Sequence, residues 1–287
     1  MAAIFKKEFK SYFHNMIGPV FMTAVMIFIG LYFFVYNMNY GYPYFAVALS
    51  GVSIVFLLLV PVLTMRSFAE EKRSKTDQML LTSPLSVTQI VLGKFFAMAS
   101  VLGVCMIITC IAPIIIKLYG GGALLADYVA IGSFFLLGAA YMSIGMFISS
   151  LTESQVIAAV VTFCVLLVLQ LVDGIGSVIS SSAMLSLITM IIIVALIAFL
   201  IYYMTKNVFI ADGVGIVGVV ALIAAFVIKR SLFEGLAGDI LEKISLVSRF
   251  DSIVNQTLDI STIIYYISVS ALFVFLTVQS VQKRRWS

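Results

Sequence analysis

Charge is what this sequence is short of. Only 10% of its 287 residues are Asp, Glu, Lys or Arg, whereas 63% are hydrophobic and the mean hydropathy is +1.19. Soluble domains carry roughly 25% charged residues. A chain this oily cannot cover a water-facing surface, which points to an all-α polytopic membrane protein. Histidine occurs once, at His14, and has no partner ligands in sequence. The three cysteines, Cys105, Cys110 and Cys164, sit in apolar runs without CxxC spacing. They read as small core hydrophobes and give neither a disulfide framework nor a metal site. No GxxxxGK[ST], HExxH or GxSxG motif occurs, so the chain carries no P-loop and neither of those hydrolytic signatures. Acidic residues are missing from the middle of the apolar runs, with Asp127, Asp173 and Asp212 at their ends. Ion-coupled carriers and pumps use an ionisable group inside the membrane. Its absence here counts against an ion-coupled carrier and leaves energy for transport to be supplied from elsewhere.

Gly213, Gly215 and Gly218 spell the dinucleotide fingerprint GxGxxG. That motif works between a strand and a helix of a βαβ unit. Here it opens an apolar run and reads as close helix packing. No cofactor is expected in this chain.

What is there is a series of apolar runs. A helix crosses a bilayer core in roughly 20 residues. By that measure eight spans are expected, at 17–36, 44–65, 95–116, 128–149, 156–172, 184–204, 214–228 and 262–281, with six as the alternative count. The first run is too long for a secretory h-region and reads as a retained span. Before it, residues 1–15 form an interfacial helix. Phe5, Phe9, Tyr12 and Phe13 share one face, and Lys6, Lys7, Lys10 and His14 another, the pattern of a helix lying among lipid headgroups. Pro19, Pro61 and Pro113 fall inside spans and are expected to kink them. Gly145 with Ser149, and Ala139 with Ser143, have the spacing that lets membrane helices approach closely.

With eight spans both termini share a side, and that side holds twelve of the 17 Lys and Arg residues. Five lie opposite, at Lys117, Lys229, Arg230, Lys243 and Arg249. The bias puts both termini in the cytoplasm. Residues 229–261 then form an extracytoplasmic amphipathic segment, in which Phe233, Leu236, Ile240, Ile244 and Val247 follow a helical period.

The longest charged interruption is 66–94, RSFAEEKRSKTDQMLLTSPLSVTQIVLGK. Ser74 is expected to N-cap a short helix over 75–82, with Asp77 at N3, ending before Pro84. Ser86 caps the next helix with Gln89 at N3, and Leu85 and Ile90 form a hydrophobic staple. That second helix runs through Lys94 into the third span, so a push on the short helix would reach the bundle.

The same stretch resembles the segment after the second span of ABC-2 type permeases. The likeness rests on Glu70-Glu71, Thr76, Leu80-Leu81, Pro84 and Gly93-Lys94, with Lys75 where that family usually has glycine. IFKKEFKSYFHNMIGPVF, SSLTESQVIAAV and the C-terminal SLVSRFDSIVNQTLDISTIIYYISVSALFVFLTVQSVQKRRW are similar to the gliding-motility-type branch. Residues 181–234 look like an extra pair of spans beyond a six-helix core. The resemblance implies a single permease domain over 1–287 that pairs with a second permease half, the same or a homologous chain. It also implies cytoplasmic ABC ATPase subunits that hold ATP and Mg, and hence no catalysis here. The short helix becomes a coupling helix, with Glu70, Glu71, Arg73, Thr76, Asp77, Met79, Leu80 and Leu81 as its ATPase-contact residues. An auxiliary protein with a large extracytoplasmic domain is a further implied partner, and 229–261 a surface for it. Membrane lipids are partners; nucleic acid is not. The expected setting is the plasma membrane of a prokaryote and the expected task export of a lipid-like or peptide cargo. A scaffold or mechanotransmission subunit and an ion-coupled secondary transporter stay open as alternatives.

Overall fold

The computed structural model describes residues 1–76, 86–179, 184, 186–188, 191, 226, 245–254 and 259–286. Helices and the turns between them account for the described residues, with no strand among them. The chain divides into two units, Met1–Val168 with Arg249–Ser287, and Leu169–Ser248. In the second, the described residues include the end of one long helix and a turn in which Ser245 Oγ accepts the N–H groups of Val247 and Ser248, both at 3.2 Å. The expected spans at 184–204 and 214–228, the glycine motif, and most of 229–261 lie outside the described residues.

In the first unit, α1 (Ala2–His14) precedes α2 (Ile17–Tyr32), which continues through a π-helical turn to Asn39. Next come α3 (Ala46–Ser53), α4 (Phe56–Thr64) and α5 (Arg66–Arg73). Then come α6 (Val87–Thr109), α7 (Ile111–Leu118), α8 (Leu124–Leu151) and α9 (Gln155–Ile179). The short α10 (Ser248–Val254) and the long α11 (Ile260–Trp286) close the chain.

Among the described residues five helices are long and apolar enough to cross a membrane: Ile17–Asn39, Val87–Leu118, Leu124–Leu151, Gln155–Val172 and Ile260–Lys283. They coincide with five of the expected spans. The second expected span is a pair bent by 61°, Ala46–Ser53 with Phe56–Arg73. Proline accounts for the breaks. Pro113 leaves the Thr109 carbonyl without its usual donor, and α6 gives way to α7 at Cys110, next to that carbonyl. Pro61 sits inside α4, and the bend lies about one turn upstream of the carbonyl its ring displaces. Pro19 falls in the first turn of α2, where the missing N–H costs nothing.

The unit is organised around α8. Of its apolar window 78% is buried, against 17–22% for α2, α9 and α11. Helices α3 to α7 and α11 all pack on it. Phe134 stacks on Phe56 of α4 at 4.7 Å between ring centroids, and Phe250 of α10 meets Phe134 at 5.8 Å. At Gly145 an added Cβ would overlap the Thr64 side chain of α4, so the expected small-residue approach is present. At the other end of α8, buried Asp127 accepts the N–H of Phe45 at 2.8 Å. Its carboxyl oxygen caps the start of α3. The α8–α9 turn at Thr152–Ser154 falls where SSLTESQVIAAV places it, with Thr152 Oγ1 accepting Ser154 N–H at 3.0 Å.

Candidate functional site

The charged stretch folds as a helix earlier than its sequence suggests. Arg66–Arg73 is α5, stapled by an i,i+4 fork from Arg66 Nε and Nη2 to the Glu70 carboxylate. Met65 supplies no side-chain cap. Ser149 of α8 takes that role: its Oγ accepts the N–H groups of Phe68 (3.2 Å) and Ala69 (3.1 Å) and donates to Met65 O at 3.1 Å. Lys72 Nζ reaches Ser150 O of the same helix. Two consecutive serines of α8 thus hold the start and the flank of α5.

The end of α5 corrects the expected cap. Ser74 closes α5 and does not open a helix. Thr76 N–H bonds Glu71 O (3.0 Å) and Lys75 N–H bonds Lys72 O (3.2 Å), the paired bonds of a Schellman motif. Ser74 Oγ bonds back to Glu70 O at 2.9 Å. Lys75 sits at φ 56°, in the left-handed region, where glycine is the comfortable residue. Serine suits either end of a helix. The signal that could have decided was Arg66–Glu70, an i,i+4 pair that makes the preceding charges helical. Residues 77–85, and with them most of the expected 75–82 helix, lie outside the described residues. Ser86 behaves as expected. Its Oγ accepts Gln89 N–H at 3.3 Å, and α6 runs unbroken from Val87 through Lys94 into the apolar span.

Lys94 is the centre of the corner that α1, α5 and α6 form. Its side chain is 2% exposed. The ammonium donates to Glu71 Oε1 (2.7 Å), Ser67 O (2.8 Å) and Glu8 Oε1 (3.2 Å), and lies 5.1 Å from the centroid of the Phe68 ring. A buried ammonium persists only when it is paired and hydrogen-bonded, and here it gathers one partner from α1 and three from α5. Glu71 and Lys94 therefore tie together the two helical stems, α5 and α6, that flank residues 74–86. Glu8 reaches them because Ile4, Glu8 and Tyr12 form the inward face of α1, with Ile4 against Gly93 at 3.0 Å from an added Cβ. Phe5 stacks on Phe9 at 5.8 Å along its flank, and Phe13 meets Phe9 at a tilt, 4.9 Å between ring centroids. Tyr12 leaves the aromatic stripe and is buried. Burial pushes its phenol above the ordinary range, and the Glu8 charge adds to that shift.

Of the expected contact residues, Arg73 and Thr76 are exposed at the mouth of the segment. Glu70 is paired with Arg66, and Glu71 is turned inward to Lys94. Asp77, Met79, Leu80 and Leu81 lie outside the described residues. Sequence reasoning missed Glu8 and counted Lys94 as an ordinary cytoplasmic cation. Among the described residues no group of three His, Cys, Asp or Glu side chains is placed to hold a metal ion.

Residues 51–183 match the family model of the ABC-2 family transporter protein, somewhat under half of the chain. The matched stretch begins in α3 and contains α5, α6 and α8, and so both stems of the corner; α1, which brings Glu8, lies before it. No curated protein and no solved structure shows a significant match.

Proposed function

We propose that this chain is the membrane-spanning permease subunit of an ATP-binding cassette transporter, powered by a separate cytoplasmic ATPase. The observation that carries the reading is the match to the ABC-2 family over most of the bent second span, the α5 and α6 stems of the charged corner, and α8. The corner supplies a mechanism. An ATPase that grips residues 73–85 would move α5 and α6 together, because Glu71 and Lys94 join their ends. Motion of α5 passes to α8 through Ser149 and Ser150, and to α1 through Glu8. Arg73, Thr76, Asp77, Met79, Leu80 and Leu81 form the gripping surface in this reading, with Glu70 and Glu71 setting its base.

The excess of cations around residues 1–15, 66–94 and the C-terminus supports a cytoplasmic location for both termini in a prokaryotic plasma membrane. A second permease half completes the path, and export of a lipid-like or peptide cargo suits walls of apolar and hydroxyl residues. The likeness of both termini to the gliding-motility-type branch supports an auxiliary protein docked outside on 229–261. The test is co-purification of the chain with its ATPase. Leu80→Glu should insert normally and lose the ATPase, and wild-type recovery of the ATPase with this variant would overturn the assignment. A cysteine placed in 229–261 should be labelled from outside intact cells.

A further inference from the structure

Helix α1 meets the head of an apolar span at each of its ends. Near its start, Ile4 lies against Gly93, where the charge-free run of α6 that follows Lys94 is about to begin. At its end, Asn15 and Met16 lead into α2, and Gly18 packs so close to the Tyr12 backbone that an added Cβ would overlap it. A helix held in this way at both ends lies along the membrane surface. Around it, the inward residues Ile4, Glu8 and Tyr12 are flanked on one side by Phe5, Phe9 and Phe13 and on the other by Lys6, Lys7 and Lys10. All three lysines are exposed. Glu8 is the one carboxylate of α1; it faces Lys94, with Lys7 at 3.9 Å. Lys6 and Lys10, one turn apart, have no other carboxylate on their own helix to meet. A phenylalanine flank beside a lysine flank fits an acidic bilayer surface: the rings enter among the acyl chains and the ammonium groups meet the phosphates.

We propose that acidic phospholipid seats α1 and that this seating controls the charged corner. Acidic headgroups hold Lys6 and Lys10 and keep the helix down. Glu8, on the same helix, then stays on Lys94, which holds α5 through Glu71 and the Ser67 carbonyl. On a neutral bilayer α1 loosens and the corner loses its α1 arm. The proposal needs the membrane assignment and no ATPase. Failure of an ATPase to co-purify would sink the permease reading and leave this one to its own test.

The full chain is placed in nanodiscs of phosphatidylcholine alone or mixed with phosphatidylglycerol, and backbone hydrogen exchange is followed in α1, α5 and α8. Phosphatidylglycerol should slow exchange severalfold in α1 and α5, less so at high salt, and leave α8 unchanged. The double variant Lys6→Gln, Lys10→Gln should exchange alike in both lipids, and Lys6→Arg, Lys10→Arg should respond as the wild type does. Glu8→Ala should keep the response of α1 and lose that of α5. Equal wild-type exchange in the two lipids would overturn the seating, and so would an undiminished response in the glutamine variant. Slowing of α8 to the same extent would also overturn it, because the lipid would then be stabilising the whole chain. An arginine variant that behaves like the glutamine one would overturn the electrostatic basis. A response of α5 that survives Glu8→Ala would overturn the control of the corner.

Discussion

Helices α8 and α9 follow one another in the chain, both cross the apolar layer, and they differ in what their side chains meet. The more apolar of the two, α9, has 17% of its window buried, whereas α8 has 78%. In water the order would be reversed, because burial there follows hydrophobicity. In lipid the solvent is as oily as the core, so large aliphatic side chains lose nothing by facing outward. What distinguishes the inside is that small and hydroxyl residues stand between the large ones, Phe134, Leu137 and Tyr141, at the close contacts. Gly138, Ala140, Ser143, Gly145 and Ser149 of α8 are buried, while Val156, Ile157, Val160, Val161, Val165 and Val168 of α9 are exposed. Side chains inside are therefore specified one by one, and those facing lipid are interchangeable.

That difference can be broken or sharpened by substitution, with unfolding followed in micelles. The largest effect should come where a charge is inside. Lys94→Met leaves the part-buried Glu8 and Glu71 without the cation they share and should cost about 3 kcal/mol; a cost near zero would mean that the ammonium is not buried. A smaller effect separates the two helices directly. Gly145→Leu forces a side chain into Thr64 and should cost about 1–3 kcal/mol. Val161→Leu on α9 should stay within about 0.5 kcal/mol, and equal effects at the two sites would erase the distinction. The smallest change should be a gain. Lys75→Gly relieves a left-handed backbone at the end of α5 and should stabilise by about 0.5–1 kcal/mol after the added freedom of the unfolded chain is counted.

The positions of five spans were legible because a 20-residue apolar run has few other uses, and each falls on a membrane-long helical stretch of the described residues. The Ser86 cap was legible because its partner Gln89 lies three residues on, a local contact. The close approach at Gly145 was legible from spacing. Lys94 was not. A lysine at the head of an apolar span looks like any cytoplasmic cation, and its burial depends on Glu8, 86 residues earlier. Nor was the burial of α8, since hydropathy in a membrane ranks lipid exposure. The start of α5 escaped notice because the donors that cap it are satisfied by Ser149, some 80 residues away. At Ser74 local chemistry misled, since a serine followed by Asp77 fits a helix start while the hydroxyl here closes a helix end.

The central claim is that the Glu71–Lys94 pair makes one mechanical piece of α5 and α6, the two stems of the proposed coupling segment. It is tested most directly by ATP hydrolysis of the assembled complex carrying Glu71→Gln, with bound ATPase measured in the same sample. Lys94 keeps Glu8 and Ser67 O in that variant, so the chain should fold and retain the ATPase. The account predicts that stimulation of hydrolysis by the membrane subunit falls while the amount of bound ATPase is unchanged. Wild-type stimulation at equal binding would contradict it.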